Sequence, residues 1–419
     1  MPLTAQANAC AVLFCAQNYA LTNRGECGMM KGRNLPLWRK ITVDKPPILR
    51  YNVRKTIPER MIIMSEKYYT EPLEASEYMR KLYADSASNA VAVLRVAANM
   101  RRSMQKSPAR MASHREEFRA QYAHMLGIDT CIEVFGTGAP EAELEEISSD
   151  ENETISRVKL KICDGVYFTG LLLVPKQRQA KAPLAIMSHG GGGSPQLCCD
   201  LIGPNNYGGV VRMLLNRGVV VFAPQLLLWS YVPKEPNPNI PAYTTPYNRQ
   251  ATDNELRQCG TSIAGFEIYE FSRALDWLLT LDFVDTNRVG MLGASYGGFY
   301  TLYTMAYETR IRSGWAVAFF NDRIRYNWRD MVWMNSAGQF LDTEIAGLIA
   351  PRKLWIDVGT EDTVFDNSTV SELFPQVQAF YDAAGASGKV RCNLWNGGHR
   401  FSTDDGALES FLEGMGVIV

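Results

Sequence analysis

The sequence predicts an α/β chain built on a mostly parallel central sheet with helices on both faces, preceded by a helical N-terminal cap. Three observations carry this. Short apolar runs at residues 182–188, 218–223, 289–292 and 313–320 are the pattern of strands buried on both faces, not the alternation of a sheet with one wet side. Helical stretches separate most of these runs, as crossover connections between parallel strands require. One run passes without a spacer into Gly293-Ala294-Ser295-Tyr296-Gly297-Gly298 and then into Phe299, Tyr300, Leu302, Tyr303 and Met305 at helical spacing. That is a strand, a sharp turn and a helix, with a serine at the apex.

The totals bound what such a chain can be. At 419 residues it can bury a large core and carry an appendage. Lys and Arg number 43 against 44 Asp and Glu, so no excess charge draws the chain to nucleic acid or to an acidic membrane surface. Neither is expected as a partner; a small neutral or mixed substrate is. The nine cysteines are an odd set with Cys198 and Cys199 adjacent, which does not read as a disulfide framework. None forms a Cys-x-x-Cys pair and histidines number only 4, so no metal is expected. No apolar stretch is long enough to span a bilayer. A soluble, cytoplasmic protein is the expectation, with secretion as the alternative; a homo-oligomer is neither required nor excluded.

Residues 1–64 read as a poorly ordered extension. The apolar patch at residues 9–16 lacks the preceding basic residue of a secretory signal, and the remainder mixes Gly, Asn, Pro and Arg without period. Met61 and Met64 precede a far more regular sequence, so the extension reads as lying upstream of the natural start; a signal peptide is the rival reading. Residues 65–138 form the helical cap region: Met79, Leu82, Tyr83, Val91, Leu94 and Ala98, then Phe118, Tyr122 and Met125, recur at three and four on a polar background. His114 and His124 lie among Arg and Glu and read as surface residues. An acidic linker is expected at residues 139–153, and residues 150–419 as the catalytic domain.

That domain opens with a hairpin, residues 155–162 and 166–174, turning at Cys163-Asp164-Gly165. The run at 182–188 ends in His189-Gly190-Gly191-Gly192-Gly193-Ser194. A phosphate-binding loop would add a lysine, and a dinucleotide loop would space its glycines differently. Four successive glycines suit a backbone that approaches a ligand closely and offers it bare amides, although a plain flexible loop is the competing reading. His189 is expected to orient this loop rather than transfer protons. After Ala223-Pro224 a long Pro-rich stretch, residues 225–249, carries Leu226, Leu227, Leu228, Trp229, Tyr231, Tyr243 and Tyr247. Loops at this place line pockets, and such aromatics suit a flat or sugar-like ligand, though local packing explains them nearly as well. Residues 260–281 form an amphipathic helix with Ile268, Phe271, Leu275 and Leu278 on one face. Residues 321–341 read as a small lid or pocket wall, so that Trp229, Trp328 and Trp333 are candidates for the substrate pocket. The strand at 353–358 ends in Gly359-Thr360-Glu361-Asp362, residues 371–384 are helical, and the last strand, 390–394, runs into Asn396-Gly397-Gly398-His399. A helix at 406–414 closes the chain.

The chemistry centres on Ser295. A nucleophile held at strained dihedrals between strand and helix needs small residues two positions before and two after, which Gly293 and Gly297 supply. The turn aims the amide of Tyr296 at a developing oxyanion, and the new helix adds its positive end. Ser295, an acid after the strand at 353–358, and His399 each fall just past a strand end, so three loops at one sheet edge can bring them together. Asp357, Glu361, Asp362 and Asp366 all compete for the acid. Asp357 falls within the strand and Glu361 early in the turn, which favours Asp362.

The chain resembles the α/β-hydrolases, and most closely the acetyl xylan esterase and dienelactone hydrolase group. The likeness rests on the residues around Ser295, on Ala274-Leu275-Asp276-Trp277-Leu278 and Val284-Asp285-Thr286-Asn287-Arg288-Val289 before them, on Gly359-Thr360-Glu361-Asp362, on Gly398-His399, and on the chain order serine, acid, histidine. It covers residues 150–419. It implies a cofactor-free serine esterase acting through an acyl-enzyme, with oxyanion donors from Tyr296 and from Gly190 or Gly191, acting on a small or carbohydrate-borne ester. Where many relatives continue after the strand at 218–223 with an aspartate and an arginine-containing loop, this chain has Gln225 and a hydrophobic stretch, so the acyl-binding surface is expected to differ. Ser-Tyr-Gly-Gly also resembles the prolyl oligopeptidase family, making a peptidase the leading alternative; about 150 mainly helical residues ahead of the domain cannot build that family's β-propeller. A non-catalytic, hydrolase-like binding scaffold is the alternative of another class.

Overall fold

The computed structural model describes residues 73–203, 206–227, 249–402 and 405–417. The expected extension at residues 1–64 lies outside them. The described residues from Ala97 onward form one compact unit, and those up to Val96 belong to another. Helix α1 (Leu73–Gln105) runs through that boundary.

The larger unit is organised by one sheet of nine strands, counted among the described residues: β1 (Glu141–Ser149), β2 (Glu153–Cys163), β3 (Val166–Pro175), β4 (Ala182–Ser188), β5 (Val220–Pro224), β6 (Val284–Ala294), β7 (Ser313–Val317), β8 (Lys353–Gly359) and β9 (Val390–Trp395). Their spatial order is β1-β2-β3-β5-β4-β6-β7-β8-β9. The first three pair antiparallel, β3 meets β5 antiparallel, and all pairs from β5 to β9 are parallel. The apolar runs behave as their composition predicts. Along β4, Leu184 and Ile186 enter one core cluster and Ala185 and Met187 the other; β5 divides in the same way between Phe222 and Val221. Period-2 alternation with both faces dry is why these strands read as unbroken apolar runs.

Helices α3 (Arg115–Leu126) and α4 (Ile128–Phe135) share one face of the sheet with α8 (Ile263–Leu278), α9 (Tyr296–Tyr307), α11 (Asp342–Ile349) and α12 (Val370–Ala383). Helices α6 (Val210–Leu215) and α13 (Asp405–Gly414) cover the other, together with Cys198 from the short α5 (Pro195–Cys198). The cap helix α3 is fastened by polar contacts as well as by Phe118 and Tyr122. The Tyr122 hydroxyl donates to the Tyr303 carbonyl at 2.9 Å, and Arg119 donates to the carbonyls of Ala306 and Leu348 at 3.0 and 3.2 Å. A guanidinium there satisfies orphan carbonyls at the negative ends of α9 and α11 together.

One expectation is corrected. Residues 139–153 are not a linker: β1 occupies most of them and pairs with β2, with Glu145 bonded to Arg157 and Glu143 to Lys159 across the ladder. An edge strand exposed on both sides carries no apolar alternation, so its sequence looks like an acidic connector.

Candidate active site

Strand order puts the site where connections diverge. From β4 the chain crosses by α5 and α6 to β5, whereas from β6 it crosses by α9, on the opposite face, to β7. The crevice between the carboxyl ends of β4 and β6 is a topological switch point, where open α/β sheets bind ligands. Ser295 and Gly190 sit there.

Ser295 follows β6 with φ 59° and ψ −122°, a left-handed conformation for a non-glycine residue that costs of the order of 1–3 kcal/mol and is held by its surroundings. Its amide donates to the Val317 carbonyl at 2.9 Å. The expected need for small neighbours is met: a Cβ on Gly297 would lie 2.0 Å from the Ser188 carbonyl oxygen, and one on Gly293 2.5 Å from the same atom. Strand β4 and the first turn of α9 are therefore in backbone contact, which no side chain permits.

Asp362 and His399 emerge from the neighbouring loops of the same edge. Nδ1 of His399 lies 2.8 Å from Oδ2 of Asp362. Oδ1 of Asp362 accepts the amides of Val364 and Phe365 at 2.8 and 3.2 Å. Burial pushes this carboxyl upward, but the His399 imidazole and the two amides outweigh it and hold it below the ordinary aspartate range. An ionised carboxylate only accepts, so Nδ1 of His399 carries the proton and Nε2 is left unprotonated, able to accept one. Phe365 stacks on the imidazole with centroids 5.6 Å apart, and Asn206 donates to the His399 carbonyl at 2.9 Å.

The competing acids take other places. Asp357, at the end of β8, is buried and accepts from Trp315, Trp355, Asn393 and Ser402 at 2.6, 2.9, 2.9 and 3.0 Å. Burial pushes it above the ordinary range against those four donors. It ties β7, β8 and β9 to the loop three residues past His399. Glu361 is exposed, and the exposed Asp366 bonds the Ser368 amide with its side chain.

The glycine loop comes close to the serine, as its composition suggests: a Cβ on Gly190 would lie 3.3 Å from Cβ of Ser295. The Gly190 amide, however, donates to the Tyr207 hydroxyl at 2.7 Å, whereas the neighbouring Gly191 is exposed. His189 orients the loop. It is fully buried, its Nδ1 lies 2.7 Å from the Gly190 carbonyl, and its Nε2 accepts from the Leu226 amide and the Gln225 side chain, both at 3.1 Å. Burial pushes this imidazole down to about 4, with the Gly190 hydrogen bond opposing the shift and the Arg249 charge adding to it. A neutral ring protonated on Nδ1 satisfies all three contacts. His114 and His124 are exposed.

Of the three tryptophans expected in the pocket, Trp229 lies outside the described residues. Trp328 stands beside the site, stacked on Tyr296 at 5.5 Å and tilted against Phe365 at 5.3 Å, so that Tyr296, Trp328, Phe365 and His399 form a continuous aromatic wall. Trp333 is in the hydrophobic core instead, against Phe299 and Tyr303. An indole within an insertion has the same composition signal in either place; packing alone separates them.

Sequence reasoning missed one cluster. Arg249, the first residue of α7 (Arg249–Gln258), is buried beside the elbow and bonded to Glu267 of α8, Asp330 and Tyr300. A lone arginine after a Pro-rich loop gives no local sign of this.

Residues 261–345, which span α8, the elbow and α9, match the prolyl oligopeptidase family. No curated protein matches the chain. Among solved structures, a Bacteroides fragilis protein provisionally assigned as an acetyl xylan esterase is 14% identical, with a TM-score of 0.55 over 72% of this chain and 81% of its own. A methylesterase is 20% identical, with a TM-score of 0.53 over 72% of this chain and 63% of its own length. These likenesses show the fold: the chain has the α/β-hydrolase fold, with a mixed, mostly parallel sheet.

Proposed function

We propose that the chain is a serine hydrolase that cleaves a carboxylic ester, such as an O-acetyl group on a carbohydrate, through an acyl-enzyme. The observation that carries this reading is the 2.8 Å pair of His399 and Asp362 at the same sheet edge as a serine held in a left-handed turn. Nε2 of His399 takes the Ser295 proton as Oγ attacks the carbonyl, and the carboxylate of Asp362 steadies the imidazolium. The amides of Tyr296 and Gly191 receive the oxyanion. Collapse of the tetrahedral species returns the proton to the leaving alcohol, and water then repeats the sequence to free the acid. No cofactor enters this scheme.

Esterase is favoured by the fold neighbours, one of them a methylesterase, and by an aromatic wall suited to a small acyl group or a sugar face. The match of residues 261–345 to the prolyl oligopeptidase family favours a second reading, a serine peptidase. Turnover of a chromogenic acetate against a prolyl anilide under the same conditions separates the two. Ser295→Ala should abolish turnover and fluorophosphonate labelling while leaving the melting transition in place; retained turnover in that variant refutes the mechanism. Absence of labelling in the wild type would favour the non-catalytic scaffold.

A further inference from the structure

The Arg249 cluster joins the two sides of the proposed oxyanion site. The side chain of Arg249 is 8% exposed and that of Glu267 0%. Nε donates to Asp330 at 2.8 Å, one terminal nitrogen to the Leu227 carbonyl and Glu267 at 3.0 and 3.1 Å, and the other to Glu267 and the Tyr300 hydroxyl at 2.7 and 2.6 Å. Every N–H of the guanidinium is therefore engaged, which three ammonium donors cannot reproduce.

From this node two paths lead out. On one, both oxygens of Asp330 accept the Tyr296 hydroxyl, at 3.0 and 2.9 Å, and the guanidinium lies 5.2 Å from the centre of the Tyr296 ring, which Trp328 also stacks against. Tyr296 is the residue after Ser295, whose amide faces the oxyanion in the proposed scheme. On the other, Glu267 also accepts the Leu227 amide at 2.7 Å; the preceding amide, Leu226, donates to His189, which holds the Gly190 carbonyl. A buried ion cluster adds little stability over apolar residues of the same volume, so stability is a weak reason for its presence here.

We infer that Arg249 is a positioning residue that sets the spacing between the Tyr296 amide and the Gly190–Gly191 loop; the inference rests on the serine hydrolase reading above. Its test compares wild type, Arg249→Lys and Tyr296→Phe, the last removing only the hydroxyl that Asp330 holds. Active sites are titrated with a fluorophosphonate so that kcat is counted per competent enzyme. Positioning predicts kcat lower by about tenfold or more in each variant with KM changed by less than about threefold, and a double variant no slower than Arg249→Lys alone, because both act along one path. A kcat per titrated site within twofold of wild type in Tyr296→Phe overturns the inference, and this variant decides the matter if Arg249→Lys fails to fold. Additive losses in the double variant overturn it too. A wild type that is neither labelled nor active instead overturns the hydrolase reading, and this inference with it.

Discussion

Replacing Asp362 by asparagine tests the site at the point where structure dictates the outcome. Oδ1 of Asp362 faces two backbone amides and Oδ2 faces Nδ1 of His399. An asparagine in the same pose must turn its carbonyl oxygen to the two amides, since its NH2 group would clash with both donors. The NH2 group then points at His399 and forces Nδ1 to become an acceptor. The proton moves to Nε2, and the nitrogen that should take the Ser295 proton no longer can. Loss of the correct tautomer in a triad of this kind lowers kcat by about 10⁴, which corresponds to about 5.5 kcal/mol of transition-state stabilisation at about 1.36 kcal/mol per tenfold. Steady-state hydrolysis of a chromogenic acetate, with Glu361→Gln measured beside it and melting curves for both, reads this directly. The exposed Glu361 should lose less than about twofold. Asp362→Asn retaining more than a tenth of wild-type kcat, or Glu361→Gln matching its loss, would refute the tautomer argument.

Two buried groups should give opposite pH signatures. Between about pH 6.5, the ordinary histidine value, and about 4, the folded value of His189, the unfolded chain binds a proton that the folded one refuses. Stability is therefore fully present above this window and falls with pH within it, by up to about 3 kcal/mol; His189→Gln should flatten the slope of melting temperature against pH there. Glu270 is fully buried, neither of its oxygens has a partner among the described residues, and burial together with Glu267 raises it well above the ordinary range. The folded chain keeps a proton that the unfolded chain releases above about pH 4.3, so this site lowers stability as pH rises. Glu270→Gln should gain on wild type from pH 4.5 to 7, and an equal difference at both ends would contradict this. Gly297→Ala should destabilise by about 1–3 kcal/mol or more through overpacking, since its Cβ would meet the Ser188 oxygen at 2.0 Å; an unchanged melting temperature would argue against the backbone contact. Trp328→Ala should raise KM for aromatic or sugar esters severalfold while Ser295 remains reactive to a fluorophosphonate, and an unaltered KM would remove Trp328 from the pocket.

What could be read from the chain alone was whatever depends on spacing along it. Double burial makes β4 and β5 apolar runs, and the elbow shows because backbone contact between β4 and α9 admits only glycine at 293 and 297. Both constraints act on a short run of neighbouring residues, whatever supplies the contact, so composition and period carry them. Which acid meets His399 was narrowed by position but decided by the chain's return, which engages Asp357 with four donors from other segments and leaves Asp362 facing the imidazole. The fate of Trp333, the pairing of β1 and the partners of Arg249 were likewise set by what arrives from far along the sequence. A side chain's identity states what it can bond, but a partner tens or hundreds of residues away is chosen only when packing brings the two into contact and removes the water between them.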